Sequence, residues 1–329
     1  MKEVMKNEFM QVIEETRALL KENSEWKERY AGYAEEIRNN FSTIKVVRST
    51  FREWSPLNVY LNISSAKSAK HSVGFELRYM GQTVARLTAN KDGKHKLSTT
   101  RKFKDTNQRD FQCQICLSSA DWGGRDARQF RGFFRKGPPR TGTKGNEEHN
   151  VQSMLLTEFS IGEDKVIRHI RPVTISGVRF PMPTPISASN PKNMKYSKHH
   201  GGGLDILVRT GTGGKATRLC IMELKDENER REPPQKAIQQ AIAYATFVRE
   251  LLRSDSGRDW WRLFGFHGEI PEPFELYAAC VMPSNDNNDY SFRNMELKIE
   301  GDIIKLHYLY FSRENGRIIV KATSLPITQ

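Results

Sequence analysis

Between Val4 and Asn39, positions recur in alternating steps of four and three: Met5, Phe9, Val12, Thr16, Leu19, Asn23, Trp26, Tyr30, Tyr33 and Ile37. This is a heptad seam interrupted by polar Thr16 and Asn23, and it predicts one long helix over residues 4–39. The seam has two uses: packing on the rest of the chain, or pairing with a second copy as a homodimer. From Leu57 to Leu117 the pattern changes to short alternating runs. Val59–Ile63, Val73–Leu77 and Thr83–Leu87 read as strands, and Asn90-Lys91-Asp92-Gly93 reads as a turn. A small antiparallel β unit is expected there.

Beyond Lys136-Gly-Pro-Pro-Arg-Thr-Gly-Thr-Lys-Gly145, a stretch of loop composition, the order becomes helix, strands, helix, strand. Asn146–Ser160 is predicted helical, with Val151, Leu155 and Phe159 on one face. Pro172–Met182 is a strand candidate. Gly203–Arg209 and Leu219–Lys225 are two strands joined by a glycine-rich turn. Pro233–Ser254 is a Pro-initiated helix carrying Ile238, Ala241, Ile242, Ala245, Val248 and Leu252 on one face. Phe274–Met282 is the next strand, and a hairpin of Ile303–Phe311 and Arg317–Ala322 turns at Glu314-Asn315-Gly316. The expected organisation is a long helix over 1–40, a small β-rich basic domain over 41–140, and an α/β domain over 146–329 with a mixed sheet flanked by helices.

Composition changes this picture in one respect. Of 329 residues, 37% are hydrophobic, enough for a packed core, while 52 Lys and Arg against 39 Asp and Glu leave a net charge of +13. Such an excess favours a polyanionic partner, nucleic acid or an anionic membrane surface. Arg101–Lys144 is the most basic stretch, with 11 Lys or Arg against 4 Asp or Glu. Phe103, Phe111, Trp122, Phe130, Phe133 and Phe134 are interleaved with these charges. Phosphate contacts with base stacking are expected there, against the alternative that the rings are core. No apolar run approaches the roughly 18–20 residues that span a bilayer, and Met1–Met10 lacks a signal core. A cytoplasmic location is expected, and four cysteines agree with it. Cys113-Gln-Ile-Cys116 has zinc-like spacing but lacks two further ligands.

The chemistry concentrates in Gly203-Leu-Asp205-Ile-Leu-Val-Arg209 and Leu219-Cys-Ile-Met-Glu223-Leu-Lys225. Two strands joined by a turn bring Asp205 and Glu223 side by side, where both ionise only if a cation lies between them. Oxygen ligands suit Mg²⁺ or Mn²⁺. Glu223 and Lys225 share a strand face, so Lys225 can orient water and stabilise charge on a phosphate.

These residues resemble the PD-(D/E)xK, or restriction-endonuclease-like, nuclease superfamily. Asp205 matches its first acid and Glu223-Leu224-Lys225 its second element; Leu204 stands where proline is usual. Gln240-Ala-Ile-Ala-Tyr244 on the following helix is similar to the QxxxY element of the RecB-like branch. The resemblance covers about residues 146–283. It implies a restriction-endonuclease-like core and Mg²⁺- or Mn²⁺-dependent hydrolysis of nucleic acid, DNA before RNA, in restriction, anti-phage defence or repair. It further implies metal ligation by Asp205, Glu223 and the Leu224 carbonyl. Gln240 and Tyr244 would position substrate or lysine, and an upstream glutamate would join them: Glu148 first, then Glu147 and Glu158.

Met295-Glu-Leu-Lys298 repeats Met222-Glu-Leu-Lys225, but has no paired Asp and no QxxxY helix after it. It reads as an ordinary amphipathic strand. Gly211–Thr217 lacks the spacing of a phosphate loop. His199 and His200 could serve as ligands or a general base, and Lys195 and Lys198 could touch phosphate, but as residues of a polar loop solvation explains them better. Two rivals stand beside the nuclease: a nucleic-acid-binding module that does not cut, and an assembly subunit built on the N-terminal heptads.

Overall fold

The computed structural model describes residues 2–51, 56–63, 72–141, 147–161, 169–198, 202–211, 214–226 and 232–326. Three helices open the chain: α1 (Lys2–Glu22), α2 (Trp26–Asn39) and α3 (Phe41–Phe51). Strands β1 (Asn58–Asn62), β2 (Ser72–Tyr79), β3 (Gln82–Asn90) and β4 (His95–Ser98) follow, then α4 (Arg101–Phe111), β5 (Ala120–Asp121) and α5 (Arg125–Arg135). Helix α6 (Glu147–Ile161) leads into β6 (Ile170–Pro172), β7 (Thr174–Ile175), β8 (Val178–Arg179) and β9 (Pro183–Thr184). Three further short strands come next, β10 (Ile186–Ser187), β11 (Lys195–Tyr196) and β12 (Gly202–Gly203). The remaining strands are β13 (Ile206–Thr210), β14 (Arg218–Leu224), β15 (Glu275–Pro283), β16 (Glu296–Ile299), β17 (Asp302–Glu314) and β18 (Arg317–Thr323). Helices α7 (Pro234–Leu252) and α8 (Gly257–Leu263) lie between β14 and β15. The fold is mixed α/β, and no helix among the described residues is long and apolar enough to cross a membrane.

Two expected elements are divided. The helix over 4–39 breaks at Asn23–Glu25 because Asn23 turns its side-chain amide back onto the Leu19 carbonyl, at 2.8 Å, competing with the helical ladder. Trp26 then buries its ring and donates its indole N–H to the Leu20 carbonyl at 3.0 Å. The strand over 172–182 becomes three pieces, because Ser176 and Gly177 make a turn with φ of 49° and 79°.

The chain forms two units, one of Met1–Ala31, Met154–Val173 and Pro181–Gln329, the other of Gly32–Ser153 and Thr174–Phe180. This differs from the expected 1–40, 41–140 and 146–329. Residues 136–141 fall inside the second unit, and the start of α6 belongs with the small sheet, where Ser153 Oγ meets Tyr60 Oη at 2.9 Å.

In the first unit β6, β13 and β14 form an antiparallel meander. Strand β15 lies parallel to β14 and β17 parallel to β15, with β16 and β18 antiparallel on β17. Every residue of Leu219–Leu224 and Leu276–Met282 is buried, which is why these strands read as near-continuous apolar runs broken only by Glu223. Helix α7 packs on β14 and β15 with α1 against it, and its small Ala237, Ala241, Ala243 and Ala245 are all fully buried. Phe9, Val12, Thr16, Trp26 and Tyr30 of the heptad seam are buried within this unit. Trp26 and Tyr30 meet Phe247 edge-on at 5.7 and 5.0 Å. The seam is covered by the chain itself, so a homodimer through it has no support. The C-terminal hairpin turns at Asn315 and Gly316, with φ of 51° and 74°, as a type I′ turn requires.

The second unit holds a sheet of order β5-β4-β3-β2-β1-β8-β7, antiparallel except between β1 and β8. Val73, Phe75, Leu77 and Tyr79 alternate inward along β2. Helix α4 starts at Thr100, whose hydroxyl accepts from the Phe103 N–H at 3.4 Å, a standard cap. Four of the six rings expected to stack on bases are core instead, while Trp122 and Phe133 are half-buried. Phe103, Phe111, Phe130 and Phe134 are buried, and Tyr79, Phe111 and Phe134 form a cluster with ring centres 5.0–5.8 Å apart. Outside them stand Arg101, Lys102, Lys104, Arg125, Arg128 and Lys136, all exposed.

Candidate functional site

Register builds the site. In the β13–β14 ladder Ile206 pairs with Met222, so Asp205, one residue before β13, falls beside the end of β14. There its Oδ2 accepts the Leu224 backbone N–H at 2.9 Å. Glu223 and Lys225 project from the same side of the chain two residues apart, and the Lys225 N–H continues the parallel ladder to the Val281 carbonyl at 2.9 Å. The ladder therefore fixes the backbones of Glu223 and Lys225, and the Asp205 side chain is tied to it through Leu224.

Lys225 Nζ donates to Glu223 Oε1 at 2.8 Å and to Gln240 Oε1 at 2.9 Å, and Glu232 Oε2 lies 3.8 Å away. Gln240 in turn donates its Nε2 to the Ser189 carbonyl at 3.2 Å and to Glu232 Oε1 at 3.3 Å. Lys225, Glu223 and Gln240 are 7%, 6% and 2% exposed. This buried ammonium donates to one charged and one neutral acceptor, partners that offset the cost of taking its charge out of water. One helical turn further along α7, the Tyr244 hydroxyl accepts the Ala188 N–H at 3.4 Å. Burial, and then the charge of Glu223, push the Tyr244 hydroxyl far above its usual range, so it remains a proton donor.

The Asp205 carboxyl is held well above the ordinary carboxylate range, first by burial and then by the adjacent Glu223 charge. Two such carboxylates repel until a proton or a cation is shared between them. Their oxygens match the preference of Mg²⁺ or Mn²⁺, which bind proteins through one or two carboxylates and take other ligands from water and phosphate. Among the described residues no group of three or more His, Cys, Asp or Glu side chains forms a metal cluster. Asp205 and Glu223 are the two carboxylates the strands place together.

The fold brings together Asp205, Glu223, Leu224, Lys225, Gln240 and Tyr244. Glu148 and Glu147 belong to the other unit, where Glu147 bridges to Arg140 at 3.0 Å. Glu158 is engaged by Arg317 of β18 at 3.0 Å. Lys195 and Lys198 are exposed, and His199 and His200 lie outside the described residues. Sequence reasoning missed Glu232 and the Ala188–Ser189 backbone. Glu232 directly precedes the Pro233-Pro234 start of α7, which is the one signal that could have singled it out. The repeated motif is an exposed edge: Glu296 and Lys298 of β16 face solvent, with Glu296 3.8 Å from Lys305. Comparison with protein-family models, curated proteins and solved structures gives no match.

Proposed function

We propose that the chain is a metal-dependent nuclease that hydrolyses phosphodiester bonds, with DNA the favoured substrate. The observation that carries this reading is the buried junction of Glu223, Lys225 and Gln240 beside the Asp205 carboxyl. The order of acid, strand, ExK strand, QxxxY helix and parallel strand supports a restriction-endonuclease-like core. Asp205, Glu223 and the Leu224 carbonyl would hold Mg²⁺ or Mn²⁺, which when bound supplies Lewis-acid polarisation and acidified water. Lys225 offers fixed positive charge to a phosphate oxygen, so charge developing there is met without reorganisation. Gln240 sets the position of that ammonium from the helix. Tyr244, kept protonated, can donate to a second phosphate oxygen.

The test is cleavage of labelled single- and double-stranded DNA and RNA in Mg²⁺, Mn²⁺ and EDTA. Wild type is compared with Glu223→Ala, Lys225→Ala and Lys298→Ala. Metal-dependent cutting that falls about a hundredfold or more in the first two variants and survives in the third is the expected result. Loss with Lys298→Ala and retention with Lys225→Ala would assign the chemistry to the other copy.

A second reading, a nucleic-acid-binding module that does not cut, has its own observation. Arg101, Lys102, Lys104, Arg125, Arg128 and Lys136 on and beside α4 and α5 are exposed. It predicts binding that weakens steeply with salt, by a slope of about 0.9 per phosphate neutralised, with no product in any metal.

A further inference from the structure

At the other end of the same strands, the first unit opens a cleft of about 1020 Å³ whose wall includes Arg171, Arg209, Arg218, Trp261, Phe266 and Glu275. Arg209 of β13 and Arg171 of β6 stand directly opposite one another in the antiparallel register. Like charges in that position are destabilising unless something offsets them. The carboxylates nearby are engaged elsewhere: Glu275 bridges to Arg218 at 3.4 Å and Glu269 to Arg258 at 2.5 Å. Neither Arg171 nor Arg209 forms an ion pair among the described residues.

Arg209 donates to the Gly265 carbonyl at 2.7 Å, while its Nε–H is buried with no partner. The indole N–H of Trp261 is likewise buried without a partner, in a ring stacked on Phe266 at 3.9 Å. Burial, and then the charge of Arg171, hold the Arg209 guanidinium below its usual range. Gly265 permits the arrangement, since its φ is +85° and a Cβ there would come within 2.7 Å of Arg209 Nη1. Facing arginines, unmet donors and an aromatic wall in a cavity of ligand size are the makings of an oxyanion-recognising pocket.

We propose that this cleft binds a phosphate-bearing small ligand of nucleotide size, with its phosphate between Arg171 and Arg209. The site is separate from the carboxylate pair: Arg218 and Glu223 are five residue steps apart along β14, roughly 17 Å at about 3.3 Å per residue. It stands whether or not the chain cuts nucleic acid.

Calorimetric titration of the full chain in EDTA with adenosine monophosphate, inorganic phosphate and adenosine tests the assignment. The monophosphate should bind more tightly than phosphate, and adenosine should not bind measurably. Arg171→Ala and Arg209→Gln should each weaken the monophosphate about tenfold or more, while Asp205→Asn at the other end should bind as wild type does. Unliganded Arg171→Ala should melt no lower than wild type, since it relieves repulsion; a purely structural arginine would melt lower. Failure of the folded wild type to bind either phosphate ligand at millimolar concentration would overturn the proposal. So would equal affinity for phosphate and the monophosphate, or binding abolished by Asp205→Asn and untouched by Arg171→Ala.

Discussion

Lys225→Met separates the physical reading of the site from its catalytic reading. The methionine keeps most of the buried stem and removes only the ammonium. That removes the donor 2.8 Å from Glu223 Oε1 and 2.9 Å from Gln240 Oε1. Removing one partner of a buried ion pair costs about 3–5 kcal/mol, of which an orphaned neutral acceptor accounts for roughly 1–3 kcal/mol. Lys236, 2.8 Å from Glu232, still offsets that second carboxylate, so the lower half of the range is expected. The assay is urea unfolding in EDTA at neutral pH, followed by tryptophan fluorescence and far-UV circular dichroism. Adding Glu223→Gln should recover roughly 1–3 kcal/mol, because the two residues share one interaction. Lys298→Met, on an exposed edge, should stay within about 0.5 kcal/mol of wild type. If Lys225→Met is no more destabilised than Lys298→Met, the ammonium is not holding buried charge and the electrostatic argument for the site fails.

Asp205→Asn should raise stability in EDTA. A carboxyl whose folded pKa is raised contributes stability below its unfolded pKa and loses it as pH rises through the folded one, so the gain in melting temperature should be larger at about pH 7 than at about pH 4, near the ordinary aspartate value. His307 works in the opposite sense. Its Nδ1–H donates to the Ser324 carbonyl at 2.9 Å and burial lowers it from 6.5 to about 4. The unfolded chain alone takes up the proton in that window, so stability should fall by about 3 kcal/mol from pH 6.5 to 4. His307→Gln should remove that slope in pH-dependent denaturation. Cysteine labelling should be selective: Cys116 is exposed, while burial pushes the Cys113 thiol up and the Cys280 thiol to about 12. Native maleimide labelling followed by peptide mapping should find Cys116 first, and early label on Cys280 would contradict the burial.

Much of the first unit was legible because its elements are long and bounded. The α7 face, the Asn315-Gly316 hairpin and the two strands carrying Asp205 and Glu223 follow from periodicity and turn chemistry. The break at Asn23 was less legible, since a heptad count treats a polar seam residue as an interruption and ignores its side-chain bond to Leu19. The basic aromatic segment misled for a related reason. Charge and aromatic residues alternate identically whether the rings face solvent or core, and only the packing of Phe111 and Phe134 on Tyr79 decides it. Glu232 and the facing arginines were illegible because they depend on strand register and on the path of the chain into α7.

One register serves both ends of the sheet. Pairing Ile206 with Met222 places Asp205 at Leu224, and the same β13, paired through Arg209 with Arg171 of β6, sets two guanidinium groups at the opposite edge. Slipping β13 by one residue would turn each side chain to the other face, burying Arg209 fully and removing Asp205 from the Leu224 N–H. The run Ile206-Leu207-Val208, buried throughout, tolerates a slip better than an amphipathic strand would, because apolar groups face both ways. Specificity of register must then come from the polar residues at its ends. Asp205 and Arg209 are therefore positioned by the strand and also pin it, so that substitutions chosen to probe either site should be checked for register as well as for binding or cleavage.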